Sequence, residues 1–169
     1  MKKLANNKLV FKQAKDISKC IEAEIEEVLE HAEEVITKNV PARHVKASLL
    51  KIEKMLEAEG ISCAFDKRVT REALRKTASE EVDSKELEEL IEVIVKAVVE
   101  EIEEVLEDAD EVCADFTIDE EDPFEIENKL KSSIEKTCAN NGVKIKLSRV
   151  NKQVKKPAKK QTLIQKILK

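Results

Sequence analysis

The chain has 169 residues, of which 41% are hydrophobic and 40% charged, with a formal net charge of −5 and no Trp or Tyr. This length suits one domain or two small ones around an aliphatic core. No apolar run reaches the roughly 18 residues of a membrane span, and the N-terminus lacks the apolar block of a signal peptide. We therefore expect a soluble, cytoplasmic protein without a membrane partner.

The sequence of each half of the chain predicts two main helices and two strands. Apolar residues at steps of three and four predict the long helices, and Asp83 and Asp122 predict N-caps. Gly60 and Gly142 follow the shorter main helices as C′ residues. Alternating apolar and polar residues predict the strands. The predicted helices cover residues 9–34, 41–59, 70–78, 83–109 and 122–140, and the predicted strands cover residues 35–38, 61–66, 112–118 and 143–147.

The two halves are related by an internal duplication. EIEEVLEHAEEV at residues 24–35 recurs as EIEEVLEDADEV at residues 101–112, with ten of twelve positions identical at a shift of 77. Further along the shift is 82, which requires a five-residue insertion near residues 119–122, in a loop. The repeat is longer than the 20–50 residues of solenoid proteins, so it indicates one duplication.

The duplication predicts an α+β protein built from two copies of one helix–strand–helix–strand unit. We expect the copies to share a pseudo-twofold axis and a small sheet of about four strands, with helices packed on one face. The predicted segments are a first repeat at residues 1–68, a connection at 69–83, a second repeat at 84–148 and a disordered basic tail at 149–169.

The tail differs in charge from the rest of the chain. Residues 149–169 contain eight bases and no acid, which leaves 23 bases against 36 acids in residues 1–148. Such asymmetry bears on partners rather than on fold. Lysines without interleaved aromatics can meet nucleic-acid phosphates, although they could equally contact the acidic body of the protein itself or merely keep the tail solvated. The predicted nucleic-acid contacts are Lys152, Lys155, Lys156, Lys159 and Lys160.

A short amphipathic segment follows these lysines. Its apolar residues fall on one helical stripe, a pattern typical of segments that dock on a protein partner. The order of Gln161, Ile164 and Ile167–Leu168 resembles the peptides that dock onto replication sliding clamps, but those peptides usually carry aromatics at the last two positions. The predicted partner contacts are Gln161, Leu163, Ile164, Ile167 and Leu168.

No motif in the sequence predicts an active site, a metal or a cofactor. The four cysteines contain no C-x-x-C pair, and each stands where the other copy has an apolar residue, so we expect buried thiols. Two glycines are too few for a phosphate-binding loop. The acidic run at residues 115–122 lacks the pattern of an EF-hand. His44, Asp115 and Asp119 are the candidates for an unrecognised catalytic site.

The sequence favours a non-enzymatic binding or regulatory protein. The tail would engage nucleic acid or a nucleic-acid-processing assembly, and its last residues would dock a protein partner. The alternative is a structural or assembly factor that oligomerises through aliphatic helix faces or a sheet edge. The sequence leaves the oligomeric state open.

Overall fold

The computed structural model describes residues 2–62, 64–65, 83–119 and 121–150 and shows an all-helical architecture. The four helices in these ranges are α1 (Lys2–Asn39), α2 (Ala42–Ala58), α3 (Ser84–Asp115) and α4 (Pro123–Asn140). The short helix predicted at residues 70–78 lies outside the described residues, as do Cys63 and residues 151–169 of the tail.

The predicted α+β class and the four-stranded sheet are wrong. The described residues form no strand, and their β-pairing is a single antiparallel bridge between Ser62 and Lys144. There is consequently no layer of helices on a sheet and no sheet edge in this part of the chain through which copies could associate.

Of the two strands predicted after the long helices, the first lies wholly within a helix and the second does so for residues 112–115, while residues 116–118 form neither helix nor strand. Residues 35–38 lie in α1, and α3 continues to Asp115. Around the end of α3 the apolar residues alternate in the sequence, but Val112 is exposed whereas Cys113 is fully buried. Cys113 follows the buried Ala109 by four residues, so the helical period outweighs the two-residue alternation.

The other two predicted strands are extended segments that follow α2 and α4. The alternation there does mark buried residues, because Ile61, Phe65, Ile145 and Leu147 enter the core. Each segment, however, satisfies part of its backbone through side chains. The N–H of Phe65 donates to Glu53 Oε1 at 2.9 Å, and the N–H of Leu147 donates to Glu135 Oε1 at 2.7 Å. Hydrogen bonds from the backbone of each segment to a glutamate of the preceding helix therefore take the place of a β-ladder.

These contacts repeat at equivalent positions of the two copies. Glu53 and Phe65 correspond to Glu135 and Leu147 at the shift of 82, and Ser62 corresponds to Lys144. An antiparallel bridge between equivalent residues is the arrangement that a local twofold axis through the bridge produces. The loop between α1 and α2 has two residues and that between α3 and α4 has seven, a difference equal to the five-residue insertion.

The long helices form because each buries a largely apolar stripe, and the two stripes occupy equivalent positions of the two copies. The buried positions of α1, shifted by 77, fall on the core-facing positions of α3. The predicted N-caps are confirmed, since Asp83 accepts from the N–H of Lys85 and Asp122 accepts from the N–H of Phe124, both at 3.0 Å. Capping satisfies backbone donors that the first helical turn leaves free.

The helices of the two halves alternate in the packing, so that each half contacts the other through both of its helices. α1 makes its most extensive contacts with α4, and α2 packs on α3, so each short helix lies against the long helix of the other copy. α1 also packs on α3. None of the described helices combines the length and apolar character that crossing a bilayer requires.

Candidate functional site

The tail residues predicted to contact nucleic acid and protein lie outside the described residues, but the point where the tail begins is well defined. Val150 is the last described residue. Its N–H donates to Asn128 Oδ1 at 3.1 Å, and its carbonyl oxygen accepts from Asn128 Nδ2 at 3.4 Å. The side chain of Arg149, one residue earlier, pairs with Glu135. The tail therefore starts on the surface of α4.

A second basic region lies on the folded body, on the N-terminal half of α1. Its four lysines are separated by steps of four, three and four residues, which places them on one side of the helix over about 16 Å. All four are exposed, and none forms an ion pair within the described ranges. We call them the lysine stripe, which consists of Lys8, Lys12, Lys15 and Lys19.

The equivalent face of α3 has no such stripe. Its four positions are occupied by Lys85, Glu89, Glu92 and Lys96. Lys85 pairs with Glu89 at 4.0 Å, and Lys96 pairs with Glu100 at 3.9 Å. Over residues 2–20 the first copy has six lysines and one acid, whereas the equivalent residues 79–97 have two lysines and seven acids. The fold is thus compatible with either sign of charge here, and the first copy carries the positive one.

Large apolar side chains are exposed beside the lysine stripe. Phe11 is 64% exposed and Leu4 is 68% exposed. Phe11 follows Lys8 by three residues and precedes Lys15 by four, so both lysines are its neighbours on the helix surface. The residue equivalent to Phe11 in the second copy is Glu88. Packing in the duplicated fold does not require an aromatic side chain at this position.

The exposed Phe11 lines a shallow groove that is also lined by Asn128, the residue that holds Val150. This groove has a volume of about 690 Å³ and runs between α1 and α4. Phe11 and Val10 line it on the α1 side, and Asn128 and Lys129 line it on the α4 side. Because Asn128 holds Val150, the last described residue before the rest of the tail lies on the same groove as Phe11. Val150 is therefore held at the α4 side of a groove whose α1 side includes Phe11.

A groove of opposite charge lies where the repeated dozen of α1 faces that of α3. It has a volume of about 570 Å³ and is lined by acids from both copies, including Glu27 and Glu104, which occupy equivalent positions. His31 also lines it. The C-terminal half of α1, residues 21–39, has seven acids and one lysine, so the helix changes sign along its length.

A buried ion network distinguishes the second copy from the first. Lys131, whose side chain is 3% exposed, lies 3.1 Å from Asp110 Oδ1 and 3.0 Å from Glu127 Oε1. Burial opposes its charge, but the hydrogen bonds that Lys131 donates to Glu127 and Asp110 raise the pKa of Lys131 overall. Ser148 Oγ also donates to Asp110 Oδ2 at 2.6 Å. The ammonium therefore stays charged and joins α4 to α3.

The two buried cysteines have the properties of structural rather than nucleophilic thiols. Cys113 and Cys138 are fully buried, as predicted, and burial raises the pKa of each thiol to about 11. A raised pKa keeps the thiol protonated near neutral pH, and the protonated form is a poor nucleophile. Cys20 is exposed, so the prediction that it is buried is wrong. Its equivalent in the other copy, Ala97, is exposed as well. An apolar residue at the equivalent position was therefore not evidence of burial.

The candidate catalytic residues occupy separate elements. His44 lies in the first turn of α2, where its Nε2 accepts from Arg43 Nε at 3.1 Å. Asp115 is the last residue of α3, and Asp119 lies in the following loop, both exposed. Among the described residues, no group of three or more His, Cys, Asp or Glu side chains could hold a metal ion.

The comparisons with known proteins give no relative for this chain. No protein-family model matches it, and neither do curated proteins or solved structures.

The lysine stripe was missed by reasoning from the sequence alone. The signal was present, because aligning residues 2–20 with residues 79–97 exposes the reversal of charge. Averaging the charge over residues 1–148 concealed it, since the acids of α3 and of the C-terminal half of α1 outweigh the lysines.

Proposed function

We propose that this chain is a non-enzymatic binding and regulatory protein whose basic tail engages nucleic acid. The observation that carries the proposal is the segregation of charge, with eight bases and no acid in residues 149–169 against an excess of acids in the rest of the chain. A lysine-rich segment attracts phosphates without reading bases, and the acidic surfaces of the body repel the same strand. The body therefore directs nucleic acid toward the basic parts of the chain.

A salt titration tests the role of the tail. Fluorescence anisotropy measures binding of the full chain to short fluorescent single-stranded and duplex oligonucleotides over a range of salt concentrations. Replacing Lys152, Lys155, Lys156, Lys159 and Lys160 with Gln is expected to lower the slope of log K against log salt. Single strands lose about 0.7 in slope for each phosphate contact removed, and duplexes about 0.9.

The matched control removes the same charge from the body. It replaces five exposed lysines, Lys46, Lys54, Lys85, Lys96 and Lys136, with Gln. We expect this variant to bind more tightly than the tail variant and to keep the slope of the original chain. Equal losses in both variants, or no binding by the original chain at low salt, would remove nucleic acid as the target of the tail.

The terminal segment is proposed to dock a protein partner. Leu163, Ile164, Ile167 and Leu168 share one helical stripe, the arrangement with which short amphipathic segments enter hydrophobic grooves. A purified replication sliding clamp is the first probe, because of the resemblance at Gln161, Ile164 and Ile167–Leu168. Binding that is lost in Ile164→Ala and kept in Lys166→Ala supports a docked segment. Absence of binding would exclude the clamp as the partner.

A further inference from the structure

The arrangement of α1 and the start of the tail points to a second nucleic-acid contact, on the folded body. We propose that the lysine stripe and Phe11 form a binding surface for single-stranded nucleic acid, with the lysines on the phosphates and Phe11 stacking on a base. This inference deepens the proposed function and rests on it, because the surface would continue the path of a strand held by the tail.

The electrostatic part of the argument comes from the comparison between the copies. A surface charge that the fold itself requires should be present in both copies. The lysine face of α1 and the equivalent face of α3 differ in charge at two of their four positions. Where α3 has Glu89 and Glu92, which reduce the charge of that face, α1 has Lys12 and Lys15. The four lysines of the stripe lack acidic partners among the described residues, so their charge is available to a ligand.

The length of the stripe suits a strand of phosphates. Lys8 and Lys19 are separated by about 16 Å along the helix axis. Successive phosphates of one nucleic-acid strand are spaced at a small fraction of this distance, so a strand laid along α1 meets several lysines at once. The acidic C-terminal half of the same helix limits the contact to the N-terminal half.

Phe11 gives the surface a preference for single strands. Proteins that bind single strands combine a positively charged path with aromatic side chains on which bases stack. Phe11 has Lys8 and Lys15 as its helix-surface neighbours and is 64% exposed, so its side chain is accessible to a base. In a duplex the bases are already stacked on each other and do not reach such a ring.

The same residues fit a membrane surface less well. A helix that lies on a bilayer buries a broad apolar face in the lipid. In α1 that face, which includes Val10, Ala14 and Ile17, is buried in the protein core. Among the described residues the exposed apolar side chains beside the stripe are Leu4, Leu9 and Phe11. They are not part of a continuous apolar face, and three side chains give too small an apolar area for stable insertion.

The test compares equivalent substitutions in the two copies of the full chain. Lys8→Glu with Lys19→Glu changes the stripe, and Lys85→Glu with Lys96→Glu makes the same change at the equivalent positions of α3. Binding of a short fluorescent oligothymidine is measured by anisotropy. We expect the stripe variant to bind on the order of tenfold more weakly than the control, with a salt slope lower by about 1.4 for two lost contacts.

Two further variants test whether a loss of binding comes from misfolding and whether Phe11 stacks on a base. Lys12→Glu with Lys15→Glu introduces the residues that α3 carries at these positions, and it should weaken binding to a similar extent while the far-ultraviolet circular dichroism is retained. Phe11→Leu keeps an apolar side chain but removes the ring. It should reduce single-strand affinity roughly fivefold or more and leave duplex affinity unchanged.

The outcomes separate this inference from the proposed function. If the stripe and control variants bind equally, the lysine stripe is not a contact, whatever the tail does. If only neutralisation of the five tail lysines abolishes binding, the proposed function stands and this inference fails. If the stripe variants alone lose binding, the stripe is a contact but the proposed role of the tail fails, and with it the path shared by tail and stripe. Stripe-dependent binding to anionic phosphatidylserine vesicles, with none to oligothymidine, would contradict the inference in favour of a lipid surface.

Discussion

Lys131 shows how a single buried residue separates the two copies. In the second copy it bridges Asp110 and Glu127, whereas the first copy has Leu49 at the position of Lys131 and Val45 at that of Glu127. A buried ion pair is weak evidence for stability, but removal of one partner leaves a buried charge uncompensated. The network therefore depends on all of its members being present.

We expect Lys131→Leu to lower the free energy of unfolding by about 3 kcal/mol, because Glu127 and Asp110 lose their buried cation. The double variant Glu127→Val with Lys131→Leu restores the residues of the first copy and should be the more stable of the two. Urea denaturation followed by circular dichroism measures both. A double variant less stable than Lys131→Leu alone would contradict the idea that the copies are interchangeable here.

The buried thiols predict a loss of stability at alkaline pH. Burial raises the pKa of Cys113 and of Cys138 from 9.0 to about 11 in the folded chain. The folded state then holds these protons more tightly than the unfolded state, so their contribution is complete below pH 9 and is lost as the pH rises toward 11. The loss is on the order of 2 kcal/mol for each thiol.

Urea midpoints measured from pH 8 to pH 11 test this pH dependence. The control carries Cys113→Ala and Cys138→Ala, which lowers stability at every pH but removes both titrating groups. We expect the stability of the original chain to fall more steeply with pH than that of the control. Parallel curves would mean that neither thiol has a raised pKa.

At the scale of elements, the ends of α2 and α4 are built alike. Gly60 and Gly142 have φ angles of +87° and +90°, and the N–H groups of the residues that follow, Ile61 and Val143, return to the helix at 2.9 Å. Such left-handed C′ positions favour glycine because a Cβ is strained there. The sequence was sufficient to predict both helix ends for this reason.

We expect Gly60→Ala and Gly142→Ala each to cost about 1 kcal/mol, since the strain at a positive φ is the same in both copies. Neither position has a neighbour that a Cβ would contact, so steric crowding adds nothing. Thermal unfolding of the two single variants and of the double variant is the measurement. A cost confined to one of the two variants would show that the two ends are not equivalent.

The strand predictions failed at this scale for a physical reason. Alternation reports which residues of a short segment are buried, and it did so correctly for Phe65 and Leu147. It does not report what pairs with the backbone, and here Glu53 and Glu135 accept the N–H groups that a neighbouring strand would have used. Near residues 112–118 the alternation coincided with the end of a helix whose buried stripe continued through Cys113.

At the scale of the whole molecule, the two copies share one core. α1 packs on α4 and α2 packs on α3, so either half alone exposes the surface that the other covers. The sequence revealed the duplication, but it could not show that the short helices cross between the copies. That arrangement depends on contacts between residues far apart in the chain.

We therefore expect residues 1–68 and 84–169, expressed as separate chains in one cell, to assemble into a stable pair. Copurification through a tag on one fragment, followed by circular dichroism, tests the assembly. The control expresses each fragment alone, which should leave it aggregated, poorly helical or paired with itself. Two fragments that are each folded and monomeric would contradict the shared core.

Charge is the other property of the whole molecule, since the lysine stripe and the basic tail belong to a chain that otherwise has an excess of acids. The most direct test is the affinity of the full, unsubstituted chain for a short oligothymidine as a function of salt concentration. We predict binding at low salt and a linear fall of log K with log salt, with a slope that corresponds to several phosphate contacts. No binding at low salt, or an affinity independent of salt, would contradict the account.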